Sequence, residues 1–248
     1  LYPFETQIYR DNGINVEFVG HPKADEISEV QRIDAKAEAR KKLDLRFEAA
    51  IQEPPVIAML PGSRGSEVKL SAPGFLMAAQ IISEQKPGSC FIIPAANQKR
   101  HAQMARLIKQ HAPQLHIKLV MGESQTAMLA ADAVLVNSGT ATLEAMLLRR
   151  PMVMSYRLGS LTYAVVSRIV SIKHFALPNI LANEKIVPEY LQSNATPEAL
   201  ANALLELLED NEHPELMKRF ASIHADLKRS SGEVAATAIL TLCDKRVD

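Results

Sequence analysis

Short runs of consecutive apolar residues recur through the middle of the chain and alternate with longer stretches of helical character. Such runs are typical of strands buried on both faces, because half-exposed strands alternate apolar and polar side chains. Strands are predicted at 56–60, 90–94, 116–120, 133–136 and 151–155. Helices are predicted between them, one ending near 86 and others at 98–111, 124–130 and 140–148. This order predicts an α/β fold in which helices cover both faces of a parallel sheet.

The parts of the chain outside this alternation follow different patterns. Residues 14–19 alternate apolar and polar side chains and predict a strand, whereas the charged, alanine-rich stretch 23–53 predicts a helical connector. After Tyr156 no further strand is predicted. Helices are predicted there at about 160–172, 196–209, 214–229 and 231–245. The apolar helix at 160–172 fits either contact with a lipid surface or burial in the fold.

Composition narrows the class of protein. The 248 residues carry 28 basic and 28 acidic side chains, so no bulk charge attracts nucleic acid. Two cysteines favour buried thiols in a reducing compartment, and no apolar stretch reaches the roughly 18–20 residues that span a bilayer. A cytoplasmic protein is therefore expected. The chain opens at Leu1 without a methionine, and we expect it to be part of a longer protein.

Several common site signatures are missing from the sequence. The seven histidines lack the spacing typical of zinc ligands, so no metal is expected. The sequence contains no G-x-S-x-G, Walker or G-x-G-x-x-G motif, which argues against a serine hydrolase, a P-loop NTPase and a classical NAD enzyme. No cofactor is therefore expected.

The loop after the first buried strand is a candidate ligand site, since ligands bind beyond the carboxyl ends of parallel strands. It reads Pro61-Gly62-Ser63-Arg64-Gly65-Ser66-Glu67. Gly62 lets the backbone approach a ligand closely, and Arg64 offers a planar cation suited to a diphosphate. An ordinary strand-to-helix turn with a surface arginine fits the same residues.

The loop after the strand at 133–136 is a second candidate. It reads Asn137-Ser138-Gly139-Thr140 and opens a helix, whose free N–H groups and dipole favour phosphate. Gly139 carries no side chain to block the approach, and Ser138 and Thr140 add hydroxyl donors. Glu144 follows one turn later, where its carboxylate can accept hydrogen bonds from ribose hydroxyls. The alternative is an ordinary N-cap with a carboxylate near the helix dipole.

A third segment, residues 176–183, contains Asn179 directly after a proline. The amide of Asn179 can both donate to and accept from a base or a sugar. The alternative is a plain turn residue, since asparagine is common in turns.

These segments together resemble the lipid-A-disaccharide synthase family. The resemblance rests on LPGSRGSEV at 60–68, SGTATLE at 138–144 and LPNIL at 177–181, with FVGHP at 18–22 and Ala24-Asp25 as support. The motifs occur in the family's order and spacing, and the likeness covers essentially the whole chain. The resemblance implies a GT-B glycosyltransferase of family 19, of which this chain is the Rossmann-like C-terminal half followed by C-terminal helices.

The resemblance also implies a reaction and site roles. It implies inverting transfer of 2,3-diacylglucosamine from UDP to 2,3-diacylglucosamine 1-phosphate (lipid X), giving a β(1→6) disaccharide and UDP. Arg64 would stabilise the leaving diphosphate as the catalytic residue in this chain. The donor would be bound by Gly62, Ser63, Arg64, Ser138, Gly139, Thr140, Glu144 and Asn179.

The family's general base is an aspartate of the N-terminal domain, and that domain is almost wholly absent here. We expect residues 1–21 to be its remnant, 22–54 an interdomain connector, 55–230 the UDP-sugar donor-binding domain, and 231–248 a helix packing toward the missing N-terminal domain. The isolated chain is expected to bind UDP without catalysing transfer. Lipid substrates imply a peripheral position on the inner face of the bacterial inner membrane, and a homodimer is compatible with the resemblance.

Three other functions fit parts of the sequence. A UDP-N-acetylglucosamine 2-epimerase-like enzyme would act on soluble substrate without acyl chains. A non-catalytic nucleotide-sugar-binding module would bind UDP without turnover. A purely structural domain would bind no UDP.

Overall fold

A computed structural model gives the fold of the chain. It describes residues 2–27, 34–45, 53–159, 173–210 and 212–244. The strands are β1 (Val56–Leu60), β2 (Cys90–Ala95), β3 (Ile117–Met121), β4 (Ala133–Asn137), β5 (Met152–Tyr156) and β6 (Glu189–Leu191). The helices are α1 (Pro3–Asp11), α2 (Pro22–Glu26), α3 (Asp34–Lys42), α4 (Gly65–Gln85), α5 (Gln98–His111), α6 (Ser124–Ala130), α7 (Thr140–Leu147), α8 (Leu177–Ala182), α9 (Pro197–Glu209), α10 (Pro214–Leu227) and α11 (Ser231–Asp244).

The six strands form one parallel sheet in the order β3-β2-β1-β4-β5-β6. The five predicted strands are confirmed to within one residue at either end. After β1 the chain builds one side of the sheet, and after β3 it crosses to β4 and builds the other. The strand order therefore reverses between β1 and β4, and in open parallel sheets the ligand crevice lies at such a point, beyond the carboxyl ends of the strands.

Both faces of the four central strands are buried, as the continuous apolar runs predict, whereas the edge strands β3 and β6 are partly exposed. Alternate residues of each strand enter different cores: Ile57 and Met59 pack with α4, α5 and α9, whereas Ala58 and Leu60 pack with α3, α6, α7 and α10. Because neither face meets water, every position of β1 is apolar and buried. This two-sided packing is what holds the loops at the edge of the sheet in place.

The structure corrects two strand predictions. Residues 14–19 form no strand, and Ile14 is 51% exposed, so their alternation of side chains is not matched by a neighbouring strand. A strand that the sequence did not predict, β6, pairs with β5 at the edge of the sheet. It has three residues, which is too short for a periodic pattern.

Other predictions are partly covered by the described residues. Helices are found at 98–111, 124–130 and 140–147, and also near the predicted 196–209, 214–229 and 231–245. The connector is helical at α2 and α3, but its residues 28–33 and 46–52 lie outside the described part, as does the predicted apolar helix at 160–172. In the described ranges, no helix is long and apolar enough to cross a membrane.

The start of the connector is bound to the C-terminal helices. The Asp25 carboxylate accepts hydrogen bonds from the backbone N–H groups of Arg229, Ser230 and Ser231, at 3.1, 3.0 and 2.6 Å. These donors surround the N-terminus of α11, so Asp25 acts as its cap from more than 200 residues away in sequence. The pKa of Asp25 is lowered most by hydrogen bonding from the Ser231 side chain, and further by these backbone N–H groups.

Candidate functional site

The two glycine-containing loops predicted as ligand sites lie side by side, because β1 and β4 are neighbours in the sheet. Asn137, the last residue of β4, joins them. Its Nδ2 atom lies 3.4 Å from where a Cβ on Gly62 would stand, and its Oδ1 accepts from the Ser71 hydroxyl of α4 at 3.4 Å. The tertiary structure thus brings both predicted phosphate-binding loops to one crevice.

Gly62 has a backbone that only glycine adopts without strain. Its φ is +123°, and a Cβ there would lie 2.5 Å from the Cβ of Glu67. The turn at Gly62 brings the backbone against Glu67, in the first turn of α4, which begins three residues later. The prediction that this loop presents backbone at close range is consistent with this turn.

Glu67 organises the loop, a role that the sequence analysis did not assign. Its Oε2 accepts from the backbone N–H groups of Ser63 and Arg64 at 3.0 and 3.1 Å, and its Oε1 accepts from Arg64 Nη1 at 2.8 Å. The Ser63 and Arg64 N–H groups are therefore already occupied. The signal in sequence was a glutamate three residues after the residue that caps the helix.

Arg64 remains 81% exposed although it is paired with Glu67. Glu67 holds one edge of the guanidinium, while the rest of the side chain is exposed at the mouth of the crevice. An exposed surface ion pair contributes little stability by itself. The pair instead limits the orientations of Arg64, so that less conformational entropy is lost when an anion binds.

The N-terminus of α7 is open. Gly139 caps the helix with φ at +139°, and a Cβ placed there would meet nothing within 4 Å. Thr140 is exposed. Among the described residues, no acceptor is recorded for the N–H groups of Gly139 and Thr140. Free N–H groups at a helix start attract anions, which the predicted phosphate role requires.

Ser138 has partners within the protein. Its hydroxyl donates to the carbonyl of Phe175 at 3.0 Å, and its N–H donates to the carbonyl of Ser155 at 3.2 Å. The proton of the hydroxyl is thus used to fix the segment before α8 against the β4–α7 loop. In this arrangement Ser138 shapes the site and does not donate to a phosphate, which differs from the predicted role.

Asn179 is fully buried, contrary to the role in which it touches the nucleotide. Its Nδ2 donates to the Val187 carbonyl and to Glu189 Oε1, at 2.9 and 2.8 Å, and its Oδ1 accepts from the N–H groups of Ile186 and Val187. The amide has no capacity left for a ligand. Asn179 instead fixes the chain between α8 and β6.

Glu189, which the sequence analysis did not single out, completes that support. Its Oε1 also accepts from the N–H groups of Phe175 and Ala176 at 2.9 and 2.7 Å. The N–H of Leu177 donates to the hydroxyl of Thr142 on α7 at 3.2 Å. The LPNIL segment is therefore held against the β4–α7 loop, as its place among the predicted site segments requires.

Glu144 projects from α7 with 18% of its side chain exposed. Burial raises the pKa of its carboxyl, Lys23 of α2 opposes that rise, and Glu26 adds to it. The Lys23 ammonium lies 3.9 Å from Glu144 Oε1, which is long for a strong ion pair. A carboxylate that is buried with so little compensation can accept hydrogen bonds from a ligand.

Replacing Glu144 with glutamine is expected to stabilise the protein at neutral pH. The raised pKa means that the folded protein disfavours the charged carboxyl, so this stability cost is absent below the ordinary value of 4.5 and grows as the pH rises through the folded pKa. Thermal unfolding at about pH 4 and about pH 7 checks this. The variant should gain melting temperature only at the higher pH.

The control for this prediction is Glu206→Gln, an exposed glutamate on α9. It should leave the melting temperature unchanged at both pH values. A lower melting temperature for Glu144→Gln at neutral pH would contradict the sign of the effect.

In the described part of the chain, no group of three or more histidine, cysteine, aspartate or glutamate side chains is arranged to hold a metal. The candidate site comprises Gly62, Ser63, Arg64, Gly139 and Thr140 in neighbouring loops, with Glu144 one turn along α7. Ser138 and Asn179 support it through hydrogen bonds within the protein. Chemically, this arrangement suits an anion with an adjoining polyol.

Comparison with known proteins places the chain in a family. Curated lipid-A-disaccharide synthases from Pseudomonas putida and Saccharophagus degradans are 44% and 42% identical over 99% and 100% of this chain. The chain spans about 62% of the length of these relatives.

Solved structures share the fold. The UDP-GlcNAc 2-epimerase of Neisseria meningitidis bound to UDP-GlcNAc matches 96% of this chain and 59% of its own, with a TM-score of 0.58 and 12% identity. WaaG, a glycosyltransferase involved in lipopolysaccharide biosynthesis, matches 88% and 54%, with a TM-score of 0.54 and 15% identity. The architecture is thus the predicted Rossmann-like half of a GT-B fold, followed by helices.

The sequence model of the family described as lipid-A-disaccharide synthetase matches residues 1–239. With this match over nearly the whole chain, the chain belongs to the lipid-A-disaccharide synthetase family.

Proposed function

We propose that this chain is the UDP-sugar donor-binding part of an inverting glycosyltransferase. The reaction is transfer of 2,3-diacylglucosamine from UDP to 2,3-diacylglucosamine 1-phosphate, which forms a β(1→6) disaccharide and releases UDP. The observation that carries the proposal is the exposed Arg64 in the loop after β1, next to the loop after β4 that leads into the open N-terminus of α7. Both features favour a diphosphate at the topological switch point.

The leaving group determines what this half must supply. When the bond between the sugar and UDP breaks, negative charge develops on the diphosphate. Arg64 and the free N–H groups of Gly139 and Thr140 can stabilise that charge, and they are oriented before the reaction begins. Catalysis by this half therefore consists of stabilising the departure of UDP.

Glu144 is proposed to bind the ribose. It lies one turn inside α7, its carboxylate is mostly buried, and Lys23 at 3.9 Å compensates it weakly. Two ribose hydroxyls would supply the missing donors. A phosphate at the start of α7 and a ribose beside Glu144 set the direction of the nucleotide along the helix.

The acceptor site and the general base are proposed to lie outside this chain. The chain spans about 62% of the curated relatives' length, which leaves room for another domain. Large apolar side chains are exposed on α1 and α11, as a surface that another domain covers would have; they are Phe4, Ile8, Tyr9, Ile239, Leu240 and Leu242. The acyl chains of both substrates would place the enzyme at a membrane surface on the cytoplasmic side.

The isolated chain is expected to bind UDP and to form no disaccharide. Calorimetric titration with UDP measures the first, and incubation with UDP-2,3-diacylglucosamine and 2,3-diacylglucosamine 1-phosphate measures the second. Uridine is the control ligand, because it has the nucleoside without the diphosphate. Failure to bind UDP contradicts the donor site. Disaccharide synthesis by the isolated chain contradicts the proposal that the acceptor site and the general base lie outside it.

The alternative of a 2-epimerase-like enzyme is supported only by a shared fold. It requires the chain to use UDP-N-acetylglucosamine without acyl chains. Tighter binding of UDP-N-acetylglucosamine than of UDP-2,3-diacylglucosamine, together with epimerisation, would favour it.

A further inference from the structure

A second arginine lies against the loop that carries Arg64. Arg100 belongs to the first turn of α5, and its guanidinium covers Gly65, the first residue of α4. A Cβ on Gly65 would stand 2.1 Å from Arg100 Nη1 and 3.1 Å from its Cζ. Only glycine at this position allows the guanidinium so close to the backbone. The loop and Arg100 are thus fitted to each other.

The guanidinium of Arg100 has no anionic partner within the described residues. Within the described ranges, no hydrogen bond or ion pair is recorded for its guanidinium, and its Nε is buried with no partner. Burying a donor without an acceptor costs free energy. Arg64, by contrast, has Glu67 at 2.8 Å.

The position of Arg100 makes the lack of an anion more costly. It occupies the third position of α5 and contacts the first residue of α4. Both helix starts carry the positive end of a dipole, which repels a cation. Gln103, one turn further, donates from Nε2 to the Gly65 carbonyl at 3.0 Å and so holds α5 against the loop. The fold thus keeps a partly buried cation at a location that a bound anion would make more favourable.

An independent observation comes from the other side of the loop. Asn137 is 3% exposed, and its Nδ2 is buried without an acceptor beside Gly62. Unpaired donors therefore flank the loop at both ends, Asn137 at Gly62 and Arg100 at Gly65. Buried polar groups are nearly always paired, so two such donors at one loop favour binding of an acceptor there, although a buried acceptor beside Gly65, Gln103 Oε1, also lacks a partner in the described structure.

We propose that Arg100 is a second cation of the diphosphate site and binds phosphate oxygens together with Arg64. This inference rests on the proposed function and deepens it: the site recognises a diphosphate more strongly than a nucleoside. Two guanidinium groups at one loop divide the charge of the leaving group between them. Asn137 donates to the same anion from the side of β4.

The test compares three ligands on the 248-residue chain by NMR titration: UDP, uridine and inorganic pyrophosphate. The variant Arg100→Gln is expected to weaken binding of UDP and pyrophosphate by at least about tenfold and to leave uridine binding unchanged. Arg100→Lys should restore part of the loss, since it keeps a point charge. The control is Arg106→Gln, an exposed arginine on the same helix, which should bind all three ligands like the parent.

The outcomes separate this inference from the proposed function. If the parent binds UDP and Arg100→Gln binds it equally well, the inference is wrong and the donor site stands. An equal loss for UDP and uridine also overturns it, because that result means only that Arg100 holds the loop. If the parent binds pyrophosphate but not UDP, the nucleotide assignment fails, and loss of pyrophosphate in Arg100→Gln still supports the second cation. No binding of either anion by the parent overturns both.

Discussion

Arg64→Ala is expected to lower kcat/KM for disaccharide synthesis by about 10²–10³-fold in the complete enzyme, the usual cost of removing one group that stabilises developing charge. The free energy of unfolding should hardly change. The side chain is 81% exposed, and its contact with Glu67 is a surface ion pair. The caps that Glu67 makes to the N–H groups of residues 63 and 64 survive the substitution. Steady-state kinetics and chemical denaturation measure the two quantities.

The matched control for this prediction is Arg106→Ala, which removes the same charge from an exposed position on α5. It should leave kcat/KM unchanged. A kcat/KM for Arg64→Ala equal to that of the parent would eliminate Arg64 as the leaving-group residue. A large loss of stability would mean instead that Arg64 holds the loop.

Asp132→Ala is expected to give the largest loss of stability, about 3 kcal/mol. Asp132 lies between α6 and β4, at the amino-terminal ends of the strands. The candidate site lies at the opposite, carboxyl ends. The Oδ2 of Asp132 accepts from the Val56 N–H at 2.7 Å and from Arg40 Nη2 at 2.9 Å, and its Oδ1 pairs with Lys36. Asp132 is 17% exposed and Arg40 only 12%, so removal of the carboxylate takes this acceptor from a mostly buried guanidinium and from the Val56 N–H.

A further cation depends on Asp132. Burial lowers the pKa of Arg150, and Asp132 is the charge that opposes this shift. Asp132 therefore offsets the cost of burying the positive charges of three side chains, Lys36 and Arg40 of α3 and Arg150 after α7, and it attaches the connector helix α3 to β1. Urea denaturation of the variant measures the loss.

Glu53→Ala is the control for Asp132→Ala, because Glu53 also pairs with Arg40 but is 65% exposed. Its loss should cost less than about 1 kcal/mol. UDP affinity should be the same in parent, control and variant below their unfolding temperatures, since the cluster is remote from the crevice. An Asp132→Ala protein as stable as the Glu53→Ala protein would contradict the importance of this cluster.

Much of the fold was predictable because it depends on patterns that are local in sequence. A strand buried on both faces must be apolar throughout, and the helices between strands are long enough to show their own period. Helix starts after strands β1 and β4 then determine where the ligand loops lie. The glycines in these loops also marked the turns correctly. Gly62 and Gly139 both have a positive φ, which favours glycine.

The two errors in strand prediction arose because strand formation depends on a partner strand that is distant in sequence. Residues 14–19 alternate like a strand, yet they pair with no strand in the described structure. The three residues of β6 have no pattern of their own and become a strand because β5 offers an open edge. Strand formation depends on the partner as much as on the strand itself.

The class of fold and the two loops at the switch point follow from the sequence alone, because hydrophobic periodicity and glycine requirements act over a few residues. The hydrogen-bond partners of individual polar side chains depend on tertiary packing and were not predictable from the sequence. Ser138 meets Phe175 across 37 residues, Asn137 meets Ser71 across 66, and Arg100 covers Gly65 from another helix. A polar group is committed to the protein or free for a ligand according to which distant groups the packing brings within hydrogen-bonding distance.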